Sequence, residues 1–249
     1  MGAISAELIK LKRGLVWPIV VLLPVVLVLA GAATQLAQGT RPDDGWDTVW
    51  LQSVGFYGLF PLAIGIAILG SLVWRAEHRG SNWNALMSGP TPSLHVVVAK
   101  TLIVAGLTAL MQIVLVLAVI VIGTLAFGLP GTLPSRYFGI AALLMLATVP
   151  AASLQSALSM FLRSFAVPVA VALAAAVTST AALKALGSAA LVSPYALATA
   201  TALLGTGSFV DSGDVTDGDV LSIVAAAFGL TVLIIALTTT VLDHRDTHT

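Results

Sequence analysis

The sequence predicts an all-α integral membrane protein, and three observations lead there. Of 249 residues, 58% are hydrophobic and 9% charged, with a mean hydropathy of +1.04, too little polar surface to cover a water-soluble globule of this size. The apolar residues are gathered into about six runs, each near the ~20 residues that cross ~30 Å of hydrocarbon as a helix. Those runs are continuous in Leu, Val and Ala, without the alternation in ten-residue units that marks a transmembrane barrel. A single transmembrane domain over 1–249 follows. The chain has no cysteine, so disulfides and cysteine-held metals are excluded. A formal net charge of zero argues against a nucleic-acid partner; the partner that composition demands is lipid.

The chain begins MGAISAELIKLKR, in which Ile4, Leu8 and Leu11, continued by Leu15, recur at helical spacing among Glu7, Lys10, Lys12 and Arg13. This pattern predicts an amphipathic helix lying along the membrane surface. The first span is expected at about 15–35. Its basic start, apolar core and small residues near Ala30 to Ala33 also read as a secretory signal peptide, but the apolar stretch is long enough to span and the patterned segment ahead of it favours retention.

Further spans are expected at about 52–74, 94–127, 137–162, 165–186 and 219–242. The third is longer than one crossing needs, so its ends project into the interfaces or it tilts. Pro18, Pro24, Pro61, Pro150 and Pro168 lie in or at the ends of spans, where they are tolerated or make kinks. The small residues of AVALAAAVTSTAAL, 170–183, place the fifth span at a helix interface. Gln112 and Gln155 either line a translocation path or hydrogen-bond between helices.

Between the last two spans, SPYALATATALLG is too short to cross yet too apolar for an ordinary loop, which points to a re-entrant or interfacial piece. DSGDVTDGD follows, with Asp211, Asp214, Asp217 and Asp219. It lacks the order and closing glutamate of a calcium loop, and reads as a solvated acidic surface able to attract cationic peptides.

The charges orient the bundle. With the N-terminus inside, Lys10, Lys12, Arg13, Arg75, Arg79, Lys100, Arg163 and Arg245 fall inside, against Arg41, Arg136 and Lys184 outside. Seven of the eleven carboxylates fall outside. By the positive-inside rule both termini are cytoplasmic.

The first cytoplasmic loop holds AEHRGSNWNALMSGPTP, 76–92. Ser81 or Asn82 can cap a short helix in which Trp83, Leu86 and Met87 share a face. Pro90 and Pro92 stop it, and Ser93 can cap the third span. From the residues alone, this is either an interfacial helix with Trp83 among the headgroups and solvated charges or a protein contact.

Enzymatic readings find little support. LHVVVAKT, ending in Lys100-Thr101, lacks both glycines of a phosphate-binding loop, so Lys100 reads as a snorkelling anchor. No H-E-x-x-H occurs, and His78, His95, His244 and His248 are too scattered for a metal site. No carboxylate is expected at membrane depth, as an intramembrane protease or an ion-coupled transporter would need.

The N-terminal amphipathic segment, six spans and a first loop reading E-x-x-G-x-x-W-x-x-L, then a proline and a later A-K, resemble the membrane subunits of type-2 ABC exporters. The pattern is carried by Glu77, Gly80, Trp83 and Leu86, then Pro90, then Ala99 and Lys100. Among these permeases the chain is most similar to those of lantibiotic immunity systems, which clear antimicrobial peptides from the bacterial cell membrane. The resemblance implies that the loop is a coupling helix docking on a separate ATPase subunit, with Glu77 and Arg79 pairing to its charges and Trp83 filling an apolar recess, contacts for which Trp and Arg are favoured. It also implies that ATP and Mg²⁺ bind that ATPase, with no cofactor on this chain, and that a second copy or a homologous permease completes the pathway. A general drug or lipid exporter and a non-transporting membrane scaffold are the alternatives.

Overall fold

The computed structural model describes residues 15–39, 42, 44–78, 92–208 and 213–246. The expected N-terminal amphipathic helix, the loop residues Arg79, Gly80, Trp83 and Leu86, and Asp211 lie outside the described residues. Within them the chain forms nine α-helices and one 3-10 turn, with no strand. They are α1 (Val16–Ala37), α2 (Trp46–Gly58), α3 (Pro61–His78), α4 (Ser93–Leu125), α5 (Ser135–Ala147), α6 (Val149–Phe161), α7 (Ala166–Leu186), the 3-10 turn Gly187–Val192, α8 (Pro194–Ala202) and α9 (Asp217–Asp246). Five stretches are long and apolar enough to cross a membrane, six when the bent α2–α3 pair counts as one. The fold is that of an all-α membrane protein.

The second span departs from expectation. It starts earlier, at Trp46, and breaks by 49° between α2 and α3. Pro61 is the cause: it has no N–H to offer the Tyr57 carbonyl four residues back, and its ring would collide with that carbonyl. A proline opening a helix is well placed, because its φ is preset and its missing donor would be unpaired there anyway. The polar residues Asp47, Thr48 and Gln52 hid the early start from hydropathy. Thr48 is satisfied locally, its Oγ1 accepting from the Asp44 N–H at 3.3 Å, whereas Gln52 Nε2 donates to Gln35 Oε1 on α1 and Asp47 pairs with Arg136 and Tyr137 of α5.

The fourth span is continuous in direction but interrupted at Thr148, between α5 and α6, just ahead of Pro150. Thr148 keeps the ladder connected. Its N–H donates to Leu144 O at 3.0 Å and its carbonyl accepts from Ala152 at 2.9 Å.

At α4, Pro92 takes the N-cap place with ψ 142°, and Ser93, expected there, is already helical. The extended proline sets the boundary one residue earlier than a serine cap would. The 33 residues of α4 run about 50 Å at 1.5 Å per residue, and this helix is the axis of the fold. Val104, Leu107, Met111, Leu115 and Val119 lie in the main core, packed with Trp50, Val54 and Tyr57 of α2, Leu62, Ile66 and Leu69 of α3, and Leu144 of α5.

The fifth span packs less completely than its small residues suggested. Only the stripe Pro168, Ala172, Ala176, Ser179 and Leu183 is buried, with Ala172 and Ala176 against Ala63 and Ala67 of α3. Val171, Leu173 and Val177 face outward. The apolar piece after it is α8, and it runs inside the protein: seven of its nine residues are buried. Its helical backbone meets the requirement that polar groups at membrane depth be satisfied internally, and Thr199 Oγ1 donates to the Gly58 carbonyl at 3.1 Å.

Candidate functional site

The two ends of the bundle differ in chemistry. One gathers the end of α3, the start of α4, the α6–α7 corner and the end of α9, with Arg75, Glu77, His78, Lys100 and Arg163. The other carries Asp44, Asp47, Arg136, Lys184, Asp214, Asp217 and Asp219.

At the first end, a buried ion pair joins α3 to α4, the helices that precede and follow residues 79–91 in the sequence. Lys100 Nζ lies 2.9 Å from Glu77 Oε1, with both side chains at most 5% exposed. The same ammonium reaches the Val73 carbonyl at 3.4 Å and stands 5.1 Å from the centre of the Trp74 ring. A cation so desolvated is tolerable because a carboxylate, a carbonyl and a π face share its charge. Glu77 and Lys100 were expected to face a partner and to snorkel respectively; both turn inward.

Trp74 is the hub of this end. Its Nε1 donates to Ser156 Oγ on α6 at 3.0 Å, and its ring packs with Val96, Val97, Met160 and Leu242, so α3, α4, α6 and α9 meet on it. His78 uses Nε2 to donate to the Ser159 carbonyl at 2.7 Å, and the Ser71 and Ser159 hydroxyls lie 3.3 Å apart. Gly70 makes this closeness possible: a Cβ there would stand 3.2 Å from the Gln155 carbonyl oxygen. Glu77 and Lys100 are adjacent in space although 23 residues apart in sequence, and this is why no local pattern announced the pair.

Deeper in the bundle, Gln112 and Gln155 are both fully buried. Gln155 Nε2 donates to the Tyr195 hydroxyl on α8 at 2.5 Å, a bond between helices. Gln112 stands beside the Tyr57 hydroxyl, yet neither group reaches hydrogen-bond geometry, and the Trp50 indole N–H is likewise buried without a partner. Sequence reasoning missed Trp50 and Tyr57. Their signal was the spacing Trp46, Trp50, Ser53, Tyr57 on one helical stripe, all buried.

At the opposite end, Asp47 accepts from the Tyr137 hydroxyl at 2.7 Å and pairs with Arg136 at 2.5 Å. Trp46 Nε1 donates to the Pro130 carbonyl at 3.0 Å. Of the acidic residues near α9, Asp214 and Asp217 are exposed. Asp219 is engaged: its carboxylate accepts from the Thr216 N–H and hydroxyl at 3.0 and 2.6 Å, and Thr216 Oγ1 accepts from the Asp219 N–H at 3.2 Å. This is a capping box, which T-D-G-D spelled in the sequence. Among the described residues no cluster of metal-ligating side chains occurs.

No curated protein and no solved structure matches the chain. Residues 3–179 match the family model described as ABC-2 family transporter protein, a stretch that takes in α1 to α6, the buried ion pair and most of α7. The chain therefore belongs to the ABC-2 transporter family, as a membrane-spanning permease.

Proposed function

We propose that this permease is the transmembrane subunit of an ATP-driven exporter, that its cation-rich end is cytoplasmic, and that segment 79–91 docks on a separate ATPase that holds ATP and Mg²⁺. The observation that carries this reading is the Glu77–Lys100 pair. It ties the helix entering the segment to the helix leaving it, so a push on 79–91 moves α3 and α4 together instead of flexing a loose loop. In this reading Glu77 positions the dock from within, Arg79 and Trp83 meet the ATPase, and Gly80 and Leu86 shape the short helix between. Gln112, with Tyr57 and Trp50, lines the polar interior that a substrate crosses, and Gln155 holds α8 beside it. A second copy or a homologous permease completes the pathway.

The substrate class is antimicrobial peptides of the lantibiotic type, as the loop motif suggests. Asp211, Asp214 and Asp217, with Asp219 as helix cap, concentrate cationic peptides at the outer face by a field screened over roughly 8 Å at physiological salt. The test is coexpression with a candidate ABC ATPase subunit, copurification, and growth of a sensitive cell across a lantibiotic series. Trp83→Ala should leave insertion intact and lower ATPase recovery and protection together. Protection against lipophilic drugs but no lantibiotic would replace the peptide assignment with general drug export. Normal ATPase binding and protection in Arg79→Ala/Trp83→Ala would remove the coupling role.

A further inference from the structure

A cavity of about 620 Å³ opens at the cation-rich end, between the start of α1, the last turns of α3 and the α6–α7 corner. Its size lies in the range of small-molecule sites. One wall is a stripe of α3, Ile68, Ser71, Leu72, Arg75 and His78, residues that share a face by their spacing. Arg75 and Glu77 are separated by roughly 200° around that helix, so the cavity is on the side away from the buried ion pair. Arg163 and Ser164 of the corner supply the second polar wall.

Arg75, His78, Arg163 and Ser164 supply polar lining, and Leu15, Pro18, Ile19 and Ile68 supply apolar lining. From His78 to Ile68 is ten residues, roughly 15 Å along a helix, so the α3 wall runs from a polar end to an apolar one. No carboxylate is among the described lining residues. Glu77, next in sequence to His78, is paired with Lys100. α7 adds to the positive field: it starts at Ala166 with no side-chain cap, and Ser164 and Phe165, which precede its first turn, line the cavity. The unpaired N–H groups of a helix start favour an anion.

We propose that this cavity binds an anionic phospholipid from the leaflet at that end. The phosphate lies between the guanidinium groups of Arg75 and Arg163, which suit bidentate phosphate contact, and the upper part of an acyl chain runs along Pro18, Ile19 and Ile68. A basic recess between membrane helices with an apolar floor is complementary to that amphiphile and to neither half of it alone. The lipid wedges α1 against α3 and the α6–α7 corner, close to Ser159, which also anchors His78.

The experiment uses the full chain in a neutral detergent, titrated with short-chain phosphatidylglycerol, with short-chain phosphatidylcholine and with inorganic phosphate. Phosphatidylglycerol should bind tightest, phosphatidylcholine far more weakly, and inorganic phosphate should not compete at equal concentration. Arg75→Gln or Arg163→Gln should weaken phosphatidylglycerol binding about fivefold each, and the double variant about thirtyfold. Arg75→Lys/Arg163→Lys keeps the charge without the fork, and should retain most of the affinity while reporting on folding. Equal affinity for the two lipids, undiminished phosphatidylglycerol binding by a folded double Gln variant, or competition by inorganic phosphate at the lipid's own concentration would each overturn the proposal. None of these readouts depends on transport or on an ATPase, so a failed exporter assignment would leave them unchanged.

Discussion

Neutralising one member of the Glu77–Lys100 pair is the most informative perturbation of this protein. The Lys100 side chain is 3% exposed and that of Glu77 5%, at a separation of 2.9 Å, so neither charge can recover its solvation when the other is lost. Removing one partner from such a pair costs about 3–5 kcal/mol. For a chain of this size each kcal/mol moves the melting temperature by about 2–4 °C, so Glu77→Gln or Lys100→Met should melt about 6–20 °C lower in detergent. The double variant Glu77→Gln/Lys100→Met leaves no orphaned charge. It should melt above either single variant, so the two losses are strongly non-additive in the double-mutant cycle. The internal control is the Arg136–Asp47 pair, whose side chains are 54% and 44% exposed and whose ionic part is worth about 0–1 kcal/mol; Arg136→Gln should shift the melt by only a few degrees. Tryptophan fluorescence or dye-monitored thermal unfolding of the purified variants reads all of these. Additive losses in the double variant, or a Glu77→Gln shift no larger than that of Arg136→Gln, would refute the claim that burial makes this pair a rigid tie.

Three further outcomes follow from the same geometry. Reporter fusions after Gln38 and after Asp217 should read as external and a fusion at Thr249 as internal; an external C-terminus would overturn the assigned orientation. Gly70→Leu should destabilise the protein by about 1–3 kcal/mol through overpacking, because its Cβ would stand 3.2 Å from the Gln155 carbonyl, and an unchanged melt would mean that α3 and α6 are not so closely apposed. Tyr195→Phe strands the buried Gln155 amide and should cost about 1–3 kcal/mol, whereas adding Gln155→Leu should recover part of that, as thermal unfolding would show.

The spans were legible in the sequence because transfer into hydrocarbon is nearly additive along a contiguous run, so composition alone positions α1, α4, α7 and α9 within a few residues. The charge asymmetry between loops was legible for the same reason: it needs only counting. The interior of the bundle was not. In lipid a leucine is as content outward as inward, and α4 presents Leu102, Leu110 and Leu117 to the outside while burying Leu107 and Leu115, so no apolar periodicity reveals which face packs. The early start of α2 at Trp46 was masked by polar residues, of which Asp47 and Gln52 find their partners only across helices, on α5 and α1. Lys100 shows the difference most clearly. By sequence it is a lone cation near a helix end, where a long side chain ordinarily reaches for water. The tertiary structure brings Glu77, the Val73 carbonyl and the Trp74 ring around it, and that set of partners, drawn from a helix on the far side of the 79–91 segment, is what makes its burial possible.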